Sequence, residues 1–217
     1  MASHPEGCVL HLGCGLDTRV FRIDPSPSVR WFDVDYPEVI ALRQRLYPAR
    51  FGCELVSSSV VDPAWLERVP ADRPVLVVAE GLVMYLRKDE VQRLFSAIVE
   101  RFPAGEMAFD AFSRLGVWFV QRQPSVQATG ATLHWSIDDP HDVERLVPRL
   151  KFVAEVPAYD RSYLDRFSFP GRMSIKAMLA IPTLRRLGRF LRYRFQESTR
   201  GPGRCGMQKL NLEQPQE

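Results

Sequence analysis

The sequence predicts an α/β fold, a doubly wound and mostly parallel sheet with helices on both faces. Three observations carry that expectation. Short apolar runs of strand length alternate with helix-length segments through most of the chain. The first run ends directly in a glycine turn, Gly13-Cys14-Gly15. Acidic residues close several of the runs, at Asp33–Asp35, Glu80 and Asp110, and ligands of such sheets bind at the carboxyl ends of the strands.

Val9–Leu12 is a short buried-strand run. Val29–Val34 is a second, and Glu54–Ser57 a weaker third. Pro74–Ala79 (PVLVVA) is the clearest central strand, and Glu106–Phe109 follows as a fifth. Helices are expected between them at Pro37–Leu46, Pro63–Val69 and Lys88–Phe102. In the last, Val91, Leu94, Phe95, Ile98 and Val99 fit a 3.6-residue period. Right-handed crossovers then make the sheet doubly wound. Later in the chain Ser113–Gln123 and Asp139–Val147 read as helices and Leu150–Val156 as a strand. Arg172–Arg194 is a basic amphipathic stretch broken by Pro182, with a final strand expected around Phe190–Phe195.

At 217 residues the chain suffices for one domain with a sizeable core, expected over residues 1–195. Residues 196–217 turn to Gly, Pro, Gln and charge and read as a disordered tail. No segment reaches the roughly 18 uninterrupted apolar residues of a membrane span, and no basic-then-apolar leader pattern is present, so no membrane and a cytoplasmic location are the expectation. Cys8, Cys14, Cys53 and Cys205 show no metal-ligand spacing, and the four histidines form no HxxxH pair; no metal is expected. A formal charge of only +3 does not call for nucleic acid.

The glycine turn lets the backbone bend sharply and approach a ligand. A dinucleotide fingerprint would carry Gly or Ala at its sixth position, and Thr18 stands there instead. About twenty residues on, the second strand ends in Asp33-Val34-Asp35. An acid at that place can accept both hydroxyls of a ribose. Asp35 is the choice, with Asp33 the same-face alternative. Asp35 also suits the start of the helix opened by Tyr36-Pro37-Glu38. Glu80 closes an apolar central strand, where an acid needs a partner, either a cationic ligand or an arginine. Arg19 suits a ligand carboxylate or a nearby acid.

HLGCGLDTR, WFDVDYPEVIALR and VVAEGLVMYL, in that order, resemble the successive motifs of the leucine carboxyl methyltransferase-like family, in its bacterial polyketide O-methyltransferase branch. The resemblance covers about residues 7 to 160, with a fainter echo in WSIDDP. It implies a class I methyltransferase (Rossmann-like) fold with S-adenosyl-L-methionine as cofactor. By position, the implied cofactor-binding residues are Gly13, Cys14, Gly15, Asp17 and Arg19 around the methionine part, Asp35 at the ribose, Ser59 and Val60 flanking the adenine, and Glu80 at the methionyl amino group. Ser59 stands where the protein-phosphatase branch has the Asp of an Asp-Leu pair, which favours the small-molecule branch. Family members usually carry a long helical extension ahead of the glycine motif, and this chain has almost none.

The expected reaction is O-methylation of a carboxylate, or a hydroxyl, of a small acid or polyketide. A carboxylate is already ionised and needs no general base, whereas a phenol would benefit from one. No catalytic base is assigned; His134 beside Trp135 is more readily a loop residue. Phe109, Phe112, Trp118 and Phe119 could line an acceptor pocket or simply build core. Two other readings stand beside this one. The first is a shortened, non-catalytic form that keeps cofactor or partner binding. The second is a nicotinamide-dependent oxidoreductase, against which Thr18 counts.

Overall fold

The computed structural model describes residues 6–157 and 186–196, with positions 168, 172, 173 and 181. The chain forms one seven-stranded sheet in the order β3-β2-β1-β4-β5-β7-β6. Its strands are β1 (Cys8–Leu12), β2 (Arg30–Asp35), β3 (Cys53–Ser57), β4 (Val75–Ala79), β5 (Ala104–Phe112), β6 (Lys151–Pro157) and β7 (Gly188–Gln196). β3 through β5 pair in parallel, while β7 runs antiparallel to both β5 and β6.

β1 is an interior strand between β2 and β4 and is buried along its whole length. Alternate side chains point to opposite faces of a strand. Cys8, Leu10 and Leu12 therefore enter the larger core, and Val9 joins Val20, Val29 and Trp31 in a smaller one. A strand apolar on both faces is what a sheet covered on both sides requires. The larger core is closed by helix α3 (Lys88–Arg101), whose five expected apolar positions are all buried. Arg87 N–H donates to Glu90 at the start of that helix, at 2.7 Å. In β7 the alternation is again strict: Leu191, Tyr193 and Phe195 turn inward, Arg192 and Arg194 outward. Tyr193 stacks on Phe109 of β5 with ring centres 5.5 Å apart.

The sequence expectations for all seven strands and for helix α2 (Pro37–Leu46) agree with these elements to within three residues at either end. Three differences have local causes. Pro63–Arg68 is a 3₁₀ turn rather than an α-helix; it is one short piece, capped by Asp62 accepting from Ala64 N–H at 3.0 Å. Helix α1 (Arg19–Ile23) is only five residues long and buries only Val20, too little for a periodic signal. The expected helix Ser113–Gln123 spans α4 (Arg114–Val120), and a short α5 (Pro124–Thr129) with no buried residue follows it unforeseen. α6 (His141–Leu146) lies within its expected range. β7 runs through Gln196, and residues 197–217 of the expected tail lie outside the described residues. Most of the basic stretch before β7 lies outside them too. No helix among the described residues is long and apolar enough to cross a membrane.

Gly105 in β5 is required by close packing. A Cβ there would lie 2.5 Å from the Val75 carbonyl oxygen and 2.8 Å from the Phe195 ring. Gly105→Ala is expected to lower stability by about 1–3 kcal/mol through overpacking, read as a lower urea midpoint. An unchanged midpoint would show that β4, β5 and β7 are not packed as described. The site below lies at the opposite end of the strands and should keep its ligand affinity.

Candidate functional site at the carboxyl edge of the sheet

The chain leaves β1 through Gly13 and Gly15, with φ of +61° and +49°. Side chains rarely tolerate that region. Gly13 N–H and Cys14 N–H both donate to the Val34 carbonyl, at 2.9 and 3.3 Å, pinning the turn to the end of β2. A Cβ on Gly13 would meet Leu82 at 3.2 Å, whereas nothing lies within 4 Å of one on Gly15. The space above Gly15 is an open cradle. Cys14 itself is buried, and burial pushes its thiol well up, so only its backbone faces the edge. Asp17 accepts from Arg19 N–H (2.6 Å) and Arg22 Nη2 (3.1 Å) and so ties down the start of α1. Burial works to raise the Asp17 carboxyl, but the Arg19 charge and these hydrogen bonds outweigh it and hold it below the usual range.

Asp33 and Asp35 share a face of β2 and differ completely in environment. Asp33 is fully buried. It accepts from His11 Nδ1 (2.9 Å), Trp31 Nε1 (2.8 Å) and Arg43 Nη2 (2.5 Å). Burial alone would raise its carboxyl; hydrogen bonds from His11 and Trp31 and the Arg43 charge win and hold it below the usual range. Cys53 Sγ is a fourth donor at 3.8 Å, so the buried Asp33 has no capacity left for a ligand. Asp35, the last residue of β2, is only partly buried and accepts from Gly15 N–H (2.8 Å, Oδ2) and Tyr36 N–H (2.7 Å, Oδ1). A carboxylate offers about four acceptor positions, so two remain for a pair of hydroxyls.

Glu80 is not the buried acid that its strand suggests. It stands just beyond β4, where the chain leaves the sheet, and its side chain is 52% exposed. Its partner is Arg19, whose Nη2 lies 2.5 Å from Oε2 and 3.2 Å from Asp17 Oδ2. Arg19 Nη1 also faces His11 Nε2 at 3.4 Å. A second acid stands beside Glu80. Asp110 of β5 accepts from Gly81 N–H at 2.8 Å. Burial, with the Glu80 charge adding to it, pushes the Asp110 carboxyl up to about 6. Gly81, at φ +66°, has nothing within 4 Å of a built Cβ.

Ser59 is half-buried after β3, and Val60 belongs to the larger core; its carbonyl accepts from Trp65 Nε1 at 3.2 Å. The aromatic candidates divide. Phe109 is core, while Trp118 and Phe119 on α4 are about half exposed. His134 is exposed in the segment whose backbone bonds Met84. The sequence reading missed His11, Arg43 and Tyr47. Arg43 looks like any basic residue of a helix surface, and only the buried Asp33 opposite it could have signalled its role.

This strand order, with an antiparallel β7 and a glycine turn after β1, is that of the class I methyltransferases. A family described as leucine carboxyl methyltransferase matches residues 2–99. The tetracenomycin polyketide synthesis O-methyltransferase TcmP of Streptomyces glaucescens is 41% identical over 195 residues, covering 90% of this chain and 72% of that protein. The S-adenosyl-L-methionine-dependent methyltransferase dpfgK of Gibberella zeae is 37% identical over 158 residues, covering 66% of this chain and 53% of that protein. The chain belongs to the leucine carboxyl methyltransferase family. A solved S-adenosylmethionine-dependent methyltransferase from Anabaena variabilis shares the fold with a TM-score of 0.59 at 10% identity, over 88% of this chain and 78% of that one.

The Glu80–Asp110 pair gives the edge a pH-dependent charge. As the pH rises through about 6 the Asp110 carboxyl gains its charge, beside Glu80 and its partner Arg19. Affinity for S-adenosylmethionine, whose amino and sulfonium groups are cationic, is expected to rise a few-fold between pH 5 and 7, about 0.5–1 kcal/mol for partly exposed charges. Asp110→Asn should flatten that rise in calorimetric titrations. An identical pH profile in the variant would remove Asp110 from the site.

Proposed function

We propose that this chain, an S-adenosylmethionine-dependent O-methyltransferase by family, transfers its methyl group to the carboxylate of a small acid of the polyketide kind. The observation that carries the cofactor assignment is the carboxyl edge itself. Asp35 keeps two acceptor positions beside an open glycine cradle, and Glu80 with Arg19 stands across from it. These residues fit the group: Asp35 would take the ribose hydroxyls, and the cradle of Gly13, Cys14 and Gly15 would receive the methionine part. Glu80 would attract its amino group, and Arg19 its carboxylate. Ser59 and Val60 would border the adenine through the chain that leaves β3, and Asp17 would act by holding Arg19.

When bound, the cofactor would supply an electrophilic methyl on its sulfonium for an acceptor oxygen, the carbon–sulfur bond breaking to leave the neutral thioether. The protein's share is alignment and local electrostatics. A carboxylate acceptor suits this edge because His11 and His141 are engaged by other side chains, while His134 stands exposed on the segment bonded to Met84. His11 bridges Asp33 and Arg19, and His141 pairs with Glu144 at 3.0 Å. A carboxylate brings its own negative oxygen and needs no proton removed. The relative of Streptomyces glaucescens, named for polyketide O-methylation, supports an acceptor of that class. A hydroxyl acceptor is the second reading, and Asp110, with its carboxyl near 6 at the same edge, is the observation that favours it.

Asp35→Ala is expected to weaken S-adenosylhomocysteine binding by about 1–3 kcal/mol through lost hydrogen bonds to a charged acceptor. Calorimetry giving wild-type affinity would sink the ribose assignment. Incubation with methyl-labelled cofactor and a small aromatic acid should give a product whose label is released by mild alkali, as from a methyl ester. A label that survives alkali would instead point to the hydroxyl reading.

A further inference from the structure

We propose that Arg43 and Tyr47, both presented by the end of α2, are positioning residues that hold the glycine turn in its ligand-receiving shape; this rests on reading that turn as the cofactor cradle. Three successive carbonyls of the turn, those of Gly15, Leu16 and Asp17, all accept hydrogen bonds from these two side chains. Arg43 Nη1 donates to Gly15 O at 2.9 Å and to Asp17 O at 2.8 Å, and Tyr47 OH donates to Leu16 O at 2.7 Å. The Arg43 guanidinium lies over the Tyr47 ring, 5.3 Å from its centre. Its Nη2 is fixed on buried Asp33 at 2.5 Å, and the side chain is 2% exposed.

The consequence for the ligand is electrostatic as well as geometric. Each carbonyl carries the negative end of a peptide dipole. Drawing three of them onto α2 engages those negative ends on protein donors, at the place where the cofactor's own carboxylate would lie. It also presents Gly15 N–H to Asp35, which orients that carboxylate. Only a planar fork can serve both Nη1 acceptors and Asp33 at once; a lysine ammonium cannot reproduce that arrangement. The Arg43 Nε–H, buried and without a hydrogen-bond partner, is a cost the site bears for keeping the fork. Both residues lie outside the glycine motif, and neither side chain is needed as a direct ligand contact.

Calorimetric titration of S-adenosylhomocysteine into the purified full chain and two variants tests this. Tyr47→Phe keeps the ring and removes one donor. It should weaken binding about fivefold, the size of one hydrogen bond, with little change in the thermal midpoint. Arg43→Lys keeps the charge on Asp33 and should weaken binding more than tenfold, with Arg43→Met worse still. Amide exchange at residues 13–18 of ligand-free Tyr47→Phe should accelerate while α2 stays protected. Wild-type affinity and unchanged exchange in Tyr47→Phe, with Arg43→Lys only melting earlier, would overturn the positioning role and leave both residues as packing. A wild-type chain that binds neither S-adenosylmethionine nor S-adenosylhomocysteine would overturn the cofactor reading, and the proposal with it.

Discussion

A single buried carboxylate organises the carboxyl edge of this sheet. Asp33 is out of contact with water, where an uncompensated charge costs several kcal/mol. Its partners come from three elements: His11 from β1, Trp31 from its own strand and Arg43 from α2. Removing one partner of such a buried set typically costs about 3–5 kcal/mol, because the remaining charge is stranded. The network therefore fixes where β1, β2 and α2 stand relative to one another. The same Arg43 then spends its other nitrogen on the glycine turn. His11 passes the constraint on through its second ring nitrogen to Arg19, which reaches Glu80 beyond β4. One buried charge is thus connected to the carboxyl ends of β1, β2 and β4.

That connection explains why two acids two residues apart on one strand have separate duties. Periodicity puts Asp33 and Asp35 on the same face but says nothing of depth along the strand. Asp33 lies inside, beneath the turn, and Asp35 lies at the rim with two backbone amides on it. Exchange of their roles would bury a carboxylate without cations and leave Arg43 without its counter-charge.

Much of the fold was legible in the sequence because strand burial leaves a mark. Continuous apolar runs at β1 and β4, and the 3.6-residue stripe of α3, are the signatures of elements buried on two faces or one. The edge positions of Gly13, Gly15, Asp35 and Glu80 were legible for a related reason: they follow strand ends, and strand ends can be located. What was not legible depends on long-range partners. Glu80 reads as the end of a buried strand, yet the chain turns at Gly81 and carries its side chain out to solvent beside Arg19. Arg43 and Tyr47 stand in an ordinary helical pattern, and their role arises only when α2 is laid beside the turn. Short α1 and α5 bury one residue and none, too little for any periodic signal to register.

Charge along the edge is graded, and the gradient argues for one orientation of a ligand. At the β2 end, Asp33 is balanced by Arg43, and Asp35 holds two neutral amides with acceptor positions to spare. At the β4–β5 end, Glu80 and Asp110 stand together, and the Arg19 facing them is shared with Asp17. Less than one full positive charge offsets two carboxylates there, and the elevation of Asp110 to about 6 is partly the mark of that imbalance. A molecule with hydroxyls at one end and cationic groups at the other fits such an edge in only one direction. Its hydroxyls would meet Asp35, whose carboxylate already holds two neutral amides, and its positive groups would lie near the acids of β4 and β5. Reversed, it would place cations beside a carboxylate already engaged by amides, and hydroxyls between two charges that need a counter-ion. Because a charged group gains more than a hydroxyl from an unbalanced pair in a partly desolvated site, the charge gradient would set the direction. The open space at Gly15 would then set how closely the ligand can approach.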